Sequence, residues 1–282
     1  MIKKIVTYSF LIISCFKFEI LDAQDKEIYK PLLNKFTTFY TYKYPANIFP
    51  TLHKSHCDND FIAVPLENGV CLAGWDSWIL KIKDFYVTGV YLCKENKTVY
   101  STLYNGRNSG LYRLDKIVDI DTIFKETLLK DLGSGIYTLG GKSKDCMFIW
   151  GCDSTHCTVS IYDGINVIEI YNSEVPITDI CYSQSGYALA TNFNGAIYLL
   201  ALNEKPVLIA NTGLKLNGIE IASDGSLFLS CDKGIFRMYS LDDLEDVELI
   251  ANVINGPLLL RNDRLYVDWI DQSMIFRIDL LK

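Results

Sequence analysis

From about residue 85 onward, short apolar runs alternate with polar breaks rich in Asp, Asn, Ser and Gly. The clearest stretch is Leu214–Ser240, LKLNGIEIASDGSLFLSCDKGIFRMYS. Asn217-Gly218 opens an apolar run that ends at Ala222. Ser223-Asp224-Gly225 is a hairpin turn, because glycine tolerates the positive φ such turns need. Leu227–Ser230 is a second strand, Asp232-Lys233-Gly234 a second turn, and Ile235–Tyr239 a third strand. Runs of this length, bounded by turn residues, predict strands throughout. Upstream, Phe36–Lys43 (FTTFYTYK) predicts a strand, Tyr44–Asp60 a proline-containing loop, and Phe61–Leu66, Gly69–Gly74 and Ser77–Lys83 three more strands. No amphipathic stretch of helix length competes, since Leu241–Glu248 is short and acidic.

The strand pattern repeats. Gly89, Gly135, Thr178, Gly218 and Gly256, which take equivalent places in successive first strands, lie 46, 43, 40 and 38 residues apart. Each repeat has a turn after its first strand and a polar break after its second, as at Asn105, Asp153, Asn192 and Asp232. Four strands in a period of about 40 residues describe the blade of a β-propeller. The count predicts an all-β fold of six four-stranded antiparallel blades. The last set has three strands, and Phe36–Lys43 is expected to supply its fourth and close the ring, covering a sheet edge that would otherwise invite aggregation.

Composition agrees with this reading. Hydrophobic residues make up 49% and aromatics 13%, with 18 Tyr and 14 Phe, all favourable to strands. A net charge of −7 with no basic run argues against nucleic acid, whose phosphates need clustered Lys and Arg, and against anionic lipid. Lys3-Lys4 followed by the apolar Ile5–Phe16 reads as a secretory signal peptide over residues 1–23, cleaved after Ala23. As a helix, that apolar run would be about 18 Å long, too short to span a bilayer. A second reading takes Ile12-Ile13-Ser14-Cys15 as a lipobox with Cys15 as the lipid anchor. Residues 24–282 are then one secreted domain. Eight of the nine cysteines lie in it, an even number that favours disulfides, and Cys152 and Cys157 flank a turn where they can bridge locally. Asn96-Lys97-Thr98 is a glycosylation sequon in a predicted turn.

The unit Asn217-Gly218…Ser223-Asp224-Gly225…Leu227-Phe228-Leu229…Asp232…Ile235-Phe236-Arg237 resembles the six-bladed propellers of the senescence-marker-protein/gluconolactonase, strictosidine-synthase-like and NHL superfamily. Asn255-Gly256-Pro257…Arg264-Leu265-Tyr266-Val267-Asp268…Ile275-Phe276-Arg277 looks like a further copy. Asp232-Lys233-Gly234-Ile235-Phe236-Arg237, in a cysteine-containing chain of this size, is also similar to insect ommochrome-binding proteins. The resemblance to the lactonases implies a divalent cation on the propeller axis, with Asn217 and Asp232 as ligands. A match to that family's N-terminal glutamate is missing. Resemblance to the ommochrome binders implies a pigment-like partner and no catalysis.

Aromatic residues recur at or near second-strand ends: Trp75, Trp150, Trp269 and Tyr104. Ringed around one mouth they would stack a planar ligand; turned inward they would pack blade on blade. Asn217 and Asp232 would orient such a ligand. His53, His56 and Cys57 offer zinc-type donors, as does His156-Cys157, yet no CxxC pair accompanies them. GxSxG, GxGxxG, P-loop and HExxH motifs are all absent from the sequence. Two functional expectations stand: a secreted binder of a small aromatic or pigment-like ligand, or a metal-dependent lactonase-like hydrolase. A protein-interaction propeller is the third.

Overall fold

The computed structural model describes residues 20–22, 36–43, 56–57, 62–66, 69–73, 78–82, 85–93, 98–116, 124–183, 187–201, 204–240, 246–252, 255–261, 263–269 and 274–280. Regular structure among them is entirely β-strand. After β1 (Ile20–Asp22) and β2 (Phe36–Lys43), the first blade is β3 (His56–Cys57), β4 (Ile62–Leu66), β5 (Gly69–Ala73) and β6 (Trp78–Lys81). The second is β7 (Tyr86–Cys93), β8 (Thr98–Tyr104), β9 (Asn108–Lys116) and β10 (Phe124–Ser134). The third is β11 (Ile136–Ser143), β12 (Cys146–Cys152), β13 (Cys157–Tyr162) and β14 (Val167–Ser173). The fourth is β15 (Ile177–Tyr182), β16 (Ala188–Asn192), β17 (Ala196–Leu200) and β18 (Val207–Asn211). The fifth is β19 (Leu216–Ile221), β20 (Leu227–Cys231), β21 (Gly234–Met238) and β22 (Val247–Asn252). The chain then forms β23 (Leu258–Arg261), β24 (Arg264–Trp269) and β25 (Met274–Leu280).

Each blade is an antiparallel meander with its strands in sequence order. The sequence predicts six four-stranded blades; the structure has five. The last three strands share a five-stranded sheet with β2 and β1, of order β1-β2-β25-β24-β23, with Tyr40 opposite Arg277. The first blade differs from expectation because its opening strand is the two-residue β3, inside the stretch read as a loop. Residues 1–19, most of the expected signal segment with Cys15, lie outside the described residues, as do Asn96 and His53. No helix among the described residues is long and apolar enough to cross a membrane.

The polar breaks are turns closed by their own side chains. Asp163 Oδ1 accepts from the amides of Ile165 and Asn166 at 2.9 and 2.6 Å, and Asn105 Oδ1 from those of Arg107 and Asn108 at 3.0 and 2.9 Å. This is how Asp and Asn mimic a backbone turn. At Asp224-Gly225 the glycine has φ +86° and its amide bonds the Ala222 carbonyl at 3.0 Å.

The hydrophobic core is divided among the interfaces between successive sheets. Val87, Val90 and Leu103 of the second blade pack with Ala63 and Val70 of the first. Leu139 and Ile149 of the third pack with Tyr91 and Leu111 of the second. Phe148 and Trp150 pack with Ile177, Ile180 and Ala190 of the fourth. Leu189 and Ile197 meet Leu216, Ile219 and Leu229 of the fifth. Phe228 and Ile235 meet Leu258, Val267 and Phe276 of the final sheet. Each fully buried side chain of this size contributes about 1.5–3 kcal/mol, so neighbouring sheets hold one another in order.

Toward the axis the contacts become polar and close. Thr138 Oγ1 donates to the Thr88 carbonyl at 2.6 Å, and Thr88 Oγ1 donates to that of Tyr137. Ser230 Oγ accepts the Gly256 amide at 2.8 Å. Glycine is required here by space: a Cβ on Gly218 would fall on the Gly256 carbonyl oxygen. Asp179 is fully buried and reaches furthest. Its Oδ1 accepts from Ile180 N at 2.9 Å, and its Oδ2 from Ile219 N at 3.0 Å and Leu258 N at 3.2 Å. One carboxylate thus ties together the inner strands β15, β19 and β23.

Candidate functional site at the axial mouth

In a meander blade, the start of the inner strand and the turn between the second and third strands lie at the same end. That end is the mouth, and it collects the polar residues singled out by the sequence. Asn217 stands at a bulge of β19, where the register with β20 shifts between Leu216 and Gly218. Bulges re-aim side chains, and β7 and β15 shift register at the corresponding Thr88 and Thr178, so that Asp179, rather than Thr178 as the repeat spacing implies, takes the place of Gly89 and Gly218. Asn217 is half-buried, and its Nδ2 donates to Asn255 Oδ1 at 3.4 Å. Asn255 precedes β23 and was not among the candidates. Its signal was legible: Asn255-Gly256 repeats Asn217-Gly218 one blade on.

Asp232 lies in the exposed turn between β20 and β21, at the same end. No hydrogen bond joins it to Asn217 among the described residues. Trp150 is fully buried between the third and fourth blades, opposite Thr138 and Val159 in the ladder. Tyr104 is half-buried at the end of β8, its ring tilted 35° against Tyr86 at 6.3 Å. Trp269 ends β24, and its side chain is not among those described; Trp75 lies outside the described residues.

Further groups stand at the same end of their blades. Lys215, just before β19, places its ammonium 5.6 Å from the ring centroid of Phe193, which is 43% exposed in the turn between β16 and β17. Such a cation–π contact is worth about 0.5–1 kcal/mol at an exposed site. The third blade's mouth turn is pinned by the Cys152–Cys157 disulfide, so His156-Cys157 offers no thiolate to a metal. Within that turn, the amides of Thr155 and His156 and the Thr155 hydroxyl hold the Asp153 carboxyl down at about 2. Cys93, Cys146 and Cys231 remain thiols, and burial pushes those of Cys146 and Cys231 up.

A divalent cation would need several oxygen donors with carboxylates among them. Asn217 and Asn255 supply neutral amides, and Asp179, the buried acid on the neighbouring inner strand, has both oxygens engaged by backbone N–H groups. Among the described residues no group of three His, Cys, Asp or Glu side chains converges. Two neutral amides alone do not make a divalent-cation site. They do fit neutral hydroxyls, which two carboxamides can serve as both donors and acceptors, and an anionic group within reach of Lys215.

Fold and site together define a β-propeller with a polar axial mouth. Among solved structures the chain is similar to the PQQ-bound aldose sugar dehydrogenase of Streptomyces coelicolor, with TM-score 0.63 and 9% identity over 86% of this chain and 98% of that one. It is also similar to a gluconolactonase of Xanthomonas campestris, with TM-score 0.62 and 11% identity over 87% and 91% of the two chains. The WD40 repeats of RRP9 align with TM-score 0.54 and 13% identity over 79% and 77%. At these identities the likeness is one of fold. No known family matches the chain, and no curated protein sequence matches it.

Proposed function

We propose that this chain is a secreted propeller that binds a small polyhydroxylated ligand of the sugar-acid or sugar-lactone class at its mouth. The observation that carries the reading is the Asn217–Asn255 carboxamide pair, set at the starts of two adjacent inner strands. At the same end, Lys215 and Phe193, in contact with each other, supply a positive charge and an apolar face. The sugar dehydrogenase and gluconolactonase among the structural neighbours are consistent with a sugar-derived ligand. The disulfide supports an oxidising compartment.

Calorimetric titration with D-gluconate and D-glucono-1,5-lactone tests the proposal. The expected result is binding that Asn217→Ala weakens about tenfold, the effect of losing about 1.4 kcal/mol of hydrogen bonding. Lys215→Met should weaken gluconate and spare the neutral lactone. Equal binding by wild type and Asn217→Ala would refute it.

Metal-dependent lactone hydrolysis is the second reading, favoured by the gluconolactonase neighbour and opposed by the donor set. Lactone turnover that rises with added Ca²⁺, Mg²⁺ or Zn²⁺ and falls in Asp232→Ala would replace binding by catalysis. An ommochrome-type pigment is the weaker ligand. It needs open ring faces, and Trp150 is enclosed while Tyr104 leans on Tyr86.

A further inference from the structure

At the end opposite the mouth, three successive blades share a feature that the proposed ligand site does not use. That end carries the turns between first and second strands and between third and fourth strands. Nine large hydrophobic side chains are exposed among the described residues, and seven of them fall there, on the third to fifth blades. Ile165, 84% exposed, and Ile168 stand on the last turn and outer strand of the third blade. Tyr187, Val207 and Leu208 belong to the fourth, Tyr239 follows the third strand of the fifth with Arg237 over its ring, and Val247 opens the outer strand of the fifth. Scattered apolar residues need no explanation, but a concentration on one face marks an interaction surface.

The outer strands sharpen the point. An edge strand is ordinarily protected by charges. β10 of the second blade has them, with Lys125, Glu126, Lys130 and Asp131. β18 reads Val-Leu-Ile-Ala-Asn, with no charge and with Val207 and Leu208 each more than half exposed. β14 and β22 carry one glutamate each. Among the described residues of these three outer strands and the turns leading into them, the ionic groups are mostly acidic: Asp163, Glu169, Glu204, Asp246 and Glu248, against Lys205. Apolar side chains rimmed by carboxylates are complementary to apolar side chains flanked by Lys or Arg. They repel an anionic membrane surface and a second copy of this acidic chain.

We propose that the outer rim of the third to fifth blades, centred on β18, docks a partner protein through a segment presenting aliphatic side chains flanked by basic residues. Edge exposure suits an extended segment, which can pair its backbone with β18 while its alternate side chains meet Val207 and Leu208.

The probe is a fluorescein-labelled twelve-residue peptide of alternating Leu and Lys, with a Leu/Glu peptide of the same length as control, read by anisotropy on the full chain. The expected result has three parts. The Leu/Lys peptide binds at least tenfold more tightly than the Leu/Glu peptide. Its affinity falls several-fold between 50 and 300 mM salt, as screening of surface charge requires. Leu208→Ser and Ile165→Ser each weaken it, whereas Leu128→Ser on the charged edge of the second blade does not. All three substitutions are at exposed positions, where a change alters stability by about 0.5 kcal/mol or less, so the variants remain folded. Absence of Leu/Lys binding, equal binding of the two peptides, or indifference to Leu208→Ser overturns the proposal. So does sedimentation showing a self-associating chain that Leu208→Ser renders monomeric, or tighter binding to phosphatidylglycerol vesicles than to the peptide.

Discussion

Removing the Asp179 carboxylate should loosen the propeller more than any other single change near its axis. The group accepts three backbone N–H bonds, from Ile180, Ile219 and Leu258. In Asp179→Ala the Ile219 and Leu258 amides lose this acceptor in a buried site, and each such bond to a charged group is worth about 1.5–3 kcal/mol. The expected loss is therefore about 4 kcal/mol, or roughly 8–16 °C in Tm at about 2–4 °C per kcal/mol for a domain of this order. Asp179→Asn can keep its oxygen facing Ile219 and Leu258 and turn its NH₂ toward Ile180. It should lose about half as much, roughly 2 kcal/mol. Thermal melts followed by circular dichroism give the ranking, with Asp232→Ala as the exposed control, expected within about 0.5 kcal/mol of wild type. Hydrogen exchange at the Ile219 and Leu258 amides locates the effect. A Tm for Asp179→Ala within a degree of wild type, or an Asn variant less stable than the Ala variant, would refute the reasoning.

Gly218→Ala should destabilise by about 1–3 kcal/mol, the usual range for overpacking, because its Cβ would meet the Gly256 carbonyl just before the next inner strand; unchanged urea midpoints would show that the two segments can part at no expense. The Asp153 carboxyl titrates at about 2 in the folded chain against 3.8 ordinarily. Its folded value is depressed, so its contribution is complete above about pH 4 and is lost as pH falls through 2. Carboxyl carbon shifts measured by NMR should give that midpoint, and a midpoint near 4 would remove the turn's amides as its cause.

The repeat was readable because its signals are local. A turn such as Ala222–Ser226 is closed by its own Asp224 and glycine, and the same chemistry recurs at each break, so strand boundaries can be read without knowing what they pack against. The blade count was not readable in the same way. β3 is two residues long and carries no pattern, and the last sheet is assembled from both ends of the described chain. Side-chain direction was the other obstacle. An aromatic at a strand end reads equally as mouth or core, and Trp150 turns inward because its register places it opposite Thr138 and Val159. Asn217 carried its own Asn-Gly signature, and Asn255 repeated it. Asp179 had no signature, since the amides it serves on other strands lie 40 and 79 residues along the chain.

That last separation bears on the order in which the molecule is completed. When the fourth blade leaves the ribosome, the strand that contains Leu258 has yet to be synthesised, and the Asp179 side chain faces a gap that only water can fill. Its full set of partners arrives with β23, after the whole of the fifth blade. The fourth blade is therefore fully bonded only once a strand two sheets away is in place. Partly made chains should be distinguishable from finished ones by the accessibility of β15 alone.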